Sequence, residues 1–178
     1  MRVYRGVLCW VLVACASVAA LGAQAPEMPR TAGTTLSAKN IVLADAVRGH
    51  AVVLVAGFSH DAGIACGDWM KAIRGDAALA GVDAFEIAML EGAPGLFRGM
   101  IKSGMRKGMS TSEQDRVVVL TLDDKLWEKF FAVSNRQEPQ VMLLDAKGNV
   151  VWHGHGTASA VEPQLGSAAE VPRRGDQR

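Results

Sequence analysis

Neither charge is in surplus in this sequence: 19 Lys and Arg face 18 Asp and Glu over 178 residues, a formal net charge of +1. A protein that neutralises phosphate backbones needs a basic footprint, so nucleic acid is not an expected partner. The chain is also too short for several domains. With 49% apolar and 21% charged residues it suits one globular domain that buries its own core. Metal ligands are scarce as well. His60, His153 and His155 could begin a site, but no second thiolate or carboxylate completes a four-ligand set, so no metal and no cofactor is expected. The histidines read as exposed or hydrogen-bonded. Ser59, His60 and Asp61 are merely consecutive, whereas a catalytic triad is defined by geometry.

Cysteine is the most informative shortage, because only Cys9, Cys15 and Cys66 are present and two of them lie in an N-terminal leader. Residues 1–5 hold two arginines and no acid, and 6–21 is an almost unbroken apolar run closing on Ala20, Gly22 and Ala23. This reads as a signal peptide over 1–23, which predicts a secreted or periplasmic protein. The run is short of the roughly 20 residues that cross a bilayer, so a retained membrane anchor is the lesser reading. A lipoprotein is another lesser reading: Leu12-Val13-Ala14-Cys15 looks like the box before a lipid-bearing cysteine, but the apolar run continues past it. Cleavage removes Arg2 and Arg5 and no acid, leaving a charge of about −1. It also leaves Cys66 alone in a compartment where thiols pair, with no intrachain disulfide open to it.

After a Pro-containing linker at 24–34, the chain alternates between strand and helix patterns. Residues 36–43 read as a short strand or hairpin through Lys39-Asn40, and 51–58 (AVVLVAGF) as a central strand buried on both faces. Ser59 or Asp61 can cap a helix to about Arg74, with Ala62, Cys66, Trp69, Met70 and Ile73 on one side. Residues 82–90 (VDAFEIAML) read as a strand, and Pro94 opens a helix through Lys107. Another strand at 116–122 leads to a helix capped by Asp123 or Asp124, with Leu126, Trp127, Phe130 and Phe131 at helical spacing. A hairpin at 141–152 turns at Asp145 to Gly148, and 158–178 reads as a disordered tail after a domain spanning 35–157.

Such alternation implies parallel strands joined by crossover helices and closed by an antiparallel pair. Three features then carry a family resemblance: the 51–58 strand entering a loop and helix, the 126–133 helix before a proline, and Pro139 just ahead of a strand. Over residues 42–156 the chain resembles the thioredoxin-like superfamily. The resemblance implies an α/β, three-layer fold with a mixed sheet, flanking helices and a C-terminal β-hairpin. It also implies a cis-proline at Pro139, a bond that X-Pro tolerates cheaply. Counted from Phe58, the family's Cys-x-x-Cys falls on Gly63-Ile64-Ala65-Cys66. The attacking thiol, which a helix N-terminus activates, is thus replaced by Gly63, and Cys66 holds the resolving place. Ser59 to Cys66 also has the spacing of the peroxiredoxin motif Pro-x-x-x-Thr-x-x-Cys, with both landmarks substituted.

The segment 91–109 adds a binding candidate. Its apolar residues Leu96, Phe97, Met100, Ile101 and Met105 share one helix face beside the basic line Arg98, Lys102 and Arg106. Arg98, Met100, Lys102, Met105, Arg106 and Lys107 form a Met-rich, basic surface suited to a protein client, a membrane protein or a membrane surface. Together with Val55 to Ser59, Cys66 to Trp69 and Asp115 to Val117, this segment resembles the thioredoxin-like assembly factor of the mitochondrial ATP synthase membrane sector and its bacterial relatives. That resemblance implies a chaperone-like role. Two functions follow: a redox-inactive binding or assembly module, or a thiol enzyme, peroxiredoxin-like or exchanging disulfides, that works through Cys66 alone.

Overall fold

A computed structural model describes residues 27–159 and 164–169. The signal-peptide reading, with Cys9 and Cys15, lies outside the described residues. The elements are β1 (Ala32–Thr35), β2 (Asn40–Val42), α1 (Leu43–Ala46), β3 (Val52–Gly57) and α2 (His60–Gly75). A 3-10 turn (Ala77–Leu79) follows, then β4 (Asp83–Met89), α3 (Gly95–Arg106), α4 (Thr111–Gln114), β5 (Val117–Leu120), α5 (Asp124–Phe130), β6 (Gln140–Leu144) and β7 (Val150–His155). One seven-stranded sheet runs β2-β1-β5-β4-β3-β6-β7. The pairs β3–β4 and β4–β5 are parallel, and the other neighbours are antiparallel.

The apolar run of β3 makes it central: Val52 to Ala56 have no exposed surface, and alternate residues serve opposite faces. Val53 and Val55 pack with Val141 and Leu143 under Trp69, Met70 and Ile73 of α2. Val52, Leu54 and Ala56 pack with Ile87, Val118 and Leu120 against Trp127, Phe130 and Phe131 of α5. Each fully buried aliphatic or aromatic side chain is worth roughly 1.5–3 kcal/mol relative to exposure, so β3 anchors both layers. α3 lies on the same face as α2, where Met105 and Met109 pack on Leu36, Ala88, Val117 and Val119. The expected mixed sheet, flanking helices and C-terminal hairpin are all present. The hairpin turns where predicted: Asp145 Oδ1 accepts the Lys147 and Asn149 amides at 2.8 Å each, and Gly148 takes φ +85°.

Three boundaries are corrected. The linker at 24–34 includes a strand, because β1 begins at Ala32 and pairs with β5 through Thr34 and Val119. The first hairpin is therefore shifted, with Leu36 buried in its turn rather than opening a strand. The tail reading of 158–178 fails for residues 158–159 and 164–169, which are helical. Leu165 and Ala169 there are buried with Trp69 and Leu79, giving the segment an apolar anchor that a disordered tail lacks.

Candidate thiol site and binding edge

Ser59, one of the two caps the sequence offered, starts α2. Its backbone is extended and its hydroxyl accepts the Ala62 amide at 3.2 Å, satisfying one of the free donors of the first turn. Gly63 lies in that first turn, half-exposed, and a Cβ built there meets nothing within 4 Å. The place of the attacking thiol is sterically open and chemically empty.

Cys66 lies one turn further along on the adjoining, buried part of the helix surface. It has no exposed surface and packs with Val53, Val55, Trp69 and Val141. Its sulfur lies against β3, since a Cβ on Gly57 would stand 3.2 Å from Sγ and 3.0 Å from the Gly63 nitrogen. Burial pushes the thiol well above its ordinary pKa, and the nearby Glu86 carboxylate pushes it further. A thiol with an unperturbed value near 9 is only about 1% thiolate at pH 7, and here the fraction is smaller still.

Glu86 is the residue that the sequence reading missed. It sits mid-strand on β4 between Val55 and Val117, on the sheet face that α2 and α3 cover, and is 6% exposed. Burial raises its carboxyl to about 7, partly opposed by the Arg74 charge. The available signal was Glu86 as the one acid inside the otherwise apolar stretch 84–90.

Pro139 stands just before β6, where it was expected, and is buried. The cis bond is not there: among the described residues every peptide is trans, the form favoured by about 0.5–1 kcal/mol even at X-Pro. Its carbonyl accepts the Gly156 amide at 3.3 Å, and the Gly156 carbonyl in turn accepts the Trp69 indole N–H at 2.8 Å, which fixes the end of β7 to α2. Arg136 donates to the Phe58 carbonyl at 3.1 Å and to Asp124 at 3.2 Å, and it pairs with Glu128. This arginine joins the start of α5 to the loop that enters α2.

The three histidines do not form a common cluster with other ligating groups among the described residues. His153 and His155 belong to β7 itself rather than following it, and His155 pairs with Glu138 at 2.6 Å. Burial, followed by the neighbouring His155, lowers the pKa of His153. No group of three His, Cys, Asp or Glu among the described residues could hold a metal ion.

The predicted binding residues divide. Met105 turns inward to the sheet, and Arg106 donates to the Leu36 carbonyl at 2.6 Å. Arg98 is bound to the Ala93 and Glu91 carbonyls at 2.8 and 2.9 Å. Met100 points outward with Leu96 and Phe97, while Lys102 and Lys107 make no ion pair among the described residues. No residue of α3 is fully buried, so its apolar face is only partly used by the core.

Solved structures of the same shape exist at low sequence identity. A thioredoxin-like protein from Porphyromonas gingivalis aligns over 86% of this chain and 95% of its own at 13% identity, with a TM-score of 0.58. The chain has the thioredoxin fold. A putative thiol:disulfide interchange protein DsbE from Chlorobium tepidum aligns over 82% of this chain and 96% of its own, at 14% identity and TM-score 0.55. BsSco, of the Sco family of cytochrome c oxidase assembly proteins, aligns over 83% and 95%, at 14% identity and TM-score 0.53. No family model and no curated protein matches the sequence. Among the described residues, no helix of this chain is long and apolar enough to cross a membrane.

Proposed function

We propose that the chain is an exported, redox-inactive thioredoxin-like module that binds a partner in a chaperone-like or assembly role. The observation that carries this reading is the split of the two thiol positions: Gly63 offers no nucleophile, and Cys66 is sealed from solvent with its pKa raised. Disulfide exchange needs an accessible thiolate, and this site supplies neither access nor charge. The leader at 1–23 supports export. A Sco-family neighbour is an assembly protein by its own description, which is compatible with such a role on this fold. One observation favours a single-cysteine enzyme instead: Glu86 beside Cys66 titrates near neutrality and could take the thiol proton. Burial of both groups weighs against it.

A single assay separates the two. In the full chain with Cys9→Ser and Cys15→Ser, native Cys66 should react with hydrogen peroxide and with aromatic disulfides no faster than global unfolding exposes it. Reactivity should reach that of a free thiol in denaturant. Sulfenic acid trapped from the native protein at rates above free cysteine would establish the enzyme and overturn the binding reading.

A further inference from the structure

All six large apolar side chains that stand exposed among the described residues belong to one edge of the molecule: Ile64 (63%), Leu96 (89%), Phe97 (48%), Met100 (66%), Leu122 (62%) and Leu126 (55%). Topology gathers them. Because β3, β4 and β5 are parallel, their carboxyl ends share an edge, and the chain leaves that edge into α2, α3 and α5 in turn. Each of the six lies in the first two turns of one of these helices or in the loop before it. Two recesses, one beside Val47 and Leu144 and the other beside Ile73 and Leu79, open at the opposite edge.

The two most exposed of these residues, Leu96 and Met100, are on α3, which has the pattern of a helix that lies in a bilayer interface: apolar residues along one side, cations along another, and little net hydrophobicity. From Gly95 to Lys107 it carries Arg98, Lys102, Arg106 and Lys107 and no acid. The acids of the edge are Asp61, Glu91, Asp123, Asp124, Glu128 and Glu138. Five of these are engaged: Glu91 by the Asp124 amide at 2.7 Å, Asp123 by the Thr31 hydroxyl at 2.7 Å, Asp124 and Glu128 by Arg136, and Glu138 by His155.

We propose that this edge docks on an anionic lipid surface, with Leu96, Phe97 and Met100 entering the boundary between headgroups and acyl chains while Lys102 and Lys107 meet lipid phosphates. A rim of three helix starts bearing scattered apolar side chains suits a soft planar partner, and the unpaired lysines complement its charge. This deepens the binding-module reading without depending on the thiol, because vesicle insertion can fail while Cys66 stays inert.

The test is a local environment-sensitive fluorophore on the full chain. It is placed at Leu96→Cys, with Lys147→Cys in the β6–β7 turn as the control, both in the Cys9→Ser, Cys15→Ser background. With vesicles of mixed phosphatidylglycerol and phosphatidylcholine, the label at 96 should shift to the blue and the label at 147 should not. Phe97→Asp with Met100→Asp should abolish the shift. Lys102→Ala with Lys107→Ala should lower the inserted-to-free ratio about 30-fold, at about fivefold per lysine. Salt of about 0.5 M, where screening acts within a few ångströms, should weaken it as well. No shift at 96, equal shifts at 96 and 147, or an equal shift with phosphatidylcholine alone would each overturn the proposal. A shift at 96 seen only with solubilised membrane proteins and not with vesicles would replace the lipid by a protein partner.

Discussion

Replacing Glu86 with glutamine should stabilise the protein at pH 8 and do little at acid pH. Glu86 is 6% exposed, and its carboxyl stands at about 7 against an ordinary 4.5, mainly because burial penalises the charge. In the unfolded chain the same carboxyl loses its proton near pH 4.5. Between about pH 4.5 and 7 the folded state therefore binds more protons than the unfolded state, and stability falls as pH rises through that window, levelling above about 7. A gap of about 2.5 units at 1.36 kcal/mol each is about 3 kcal/mol. Glutamine keeps the shape and removes the titration. The advantage of Glu86→Gln over the parent should thus grow from near zero at acid pH to about 3 kcal/mol, or roughly 6–12 °C of Tm at about 2–4 °C per kcal/mol. His153 acts in the opposite sense: burial depresses its folded pKa, so its contribution is lost as pH falls. It is present in both proteins and cancels in their difference. Thermal and urea melts of the pair, followed by circular dichroism from about pH 4.5 to 8.5, read the effect directly. A difference independent of pH, or one that grows toward acid, would refute the reasoning.

Two glycines give complementary tests on the same helix. Gly57→Ala should destabilise by about 1–3 kcal/mol in urea melts, because the new Cβ meets the Gly63 backbone at 3.0 Å and 3.1 Å as well as the Cys66 sulfur at 3.2 Å, and backbone does not give way cheaply. Gly63→Cys should fold normally, since a Cβ there meets nothing within 4 Å. Its thiol, three residues before Cys66 on α2, lies within the Cα reach of a disulfide, so free-thiol titration under oxidising conditions should show the pair consumed. Persistence of two free thiols would show that Cys66 is held too deep to resolve.

Sequence periodicity revealed the layers because burial here follows simple rules. The apolar run 51–58 could only be a strand covered on both faces, and Trp127, Phe130 and Phe131 could only share a helix face turned inward. Gly63 and Cys66 were placed by counting along one helix, and the structure leaves the first half-exposed in the opening turn and buries the second one turn on. What escaped the reading depends on distant partners. Glu86 looks like one surface acid in a strand until β3 and β5 flank it and helices cover it. The 164–169 helix is short and weakly patterned, and only Leu165 and Ala169 meeting Trp69 reveal it. In α3 the cations read as one basic line, yet Arg98 and Arg106 are bound to carbonyls of other segments, a pairing that no local pattern encodes.

The same topology places the proposed binding edge beside the position of the absent thiol. Parallel strands send three helix starts to one edge, so the emptied position at Gly63 and the exposed apolar residues share that edge without any further arrangement. Dithiol chemistry there rests on one side chain at position 63, and its absence leaves the rest of the fold intact because a Cβ at that position touches nothing. The exposed apolar rim, by contrast, is spread over α2, α3 and α5 and the loops before them. Arg136 holds one side of it, bridging Phe58 to Asp124, and Arg98 holds the other through the Glu91 and Ala93 carbonyls. These bonds hold the starts of the helices that carry Leu96 and Leu126, and none of them involves a thiol. The hydrogen bonds that hold this edge therefore do not involve Cys66, and the proposed contact through Leu96, Phe97 and Met100 needs no thiol.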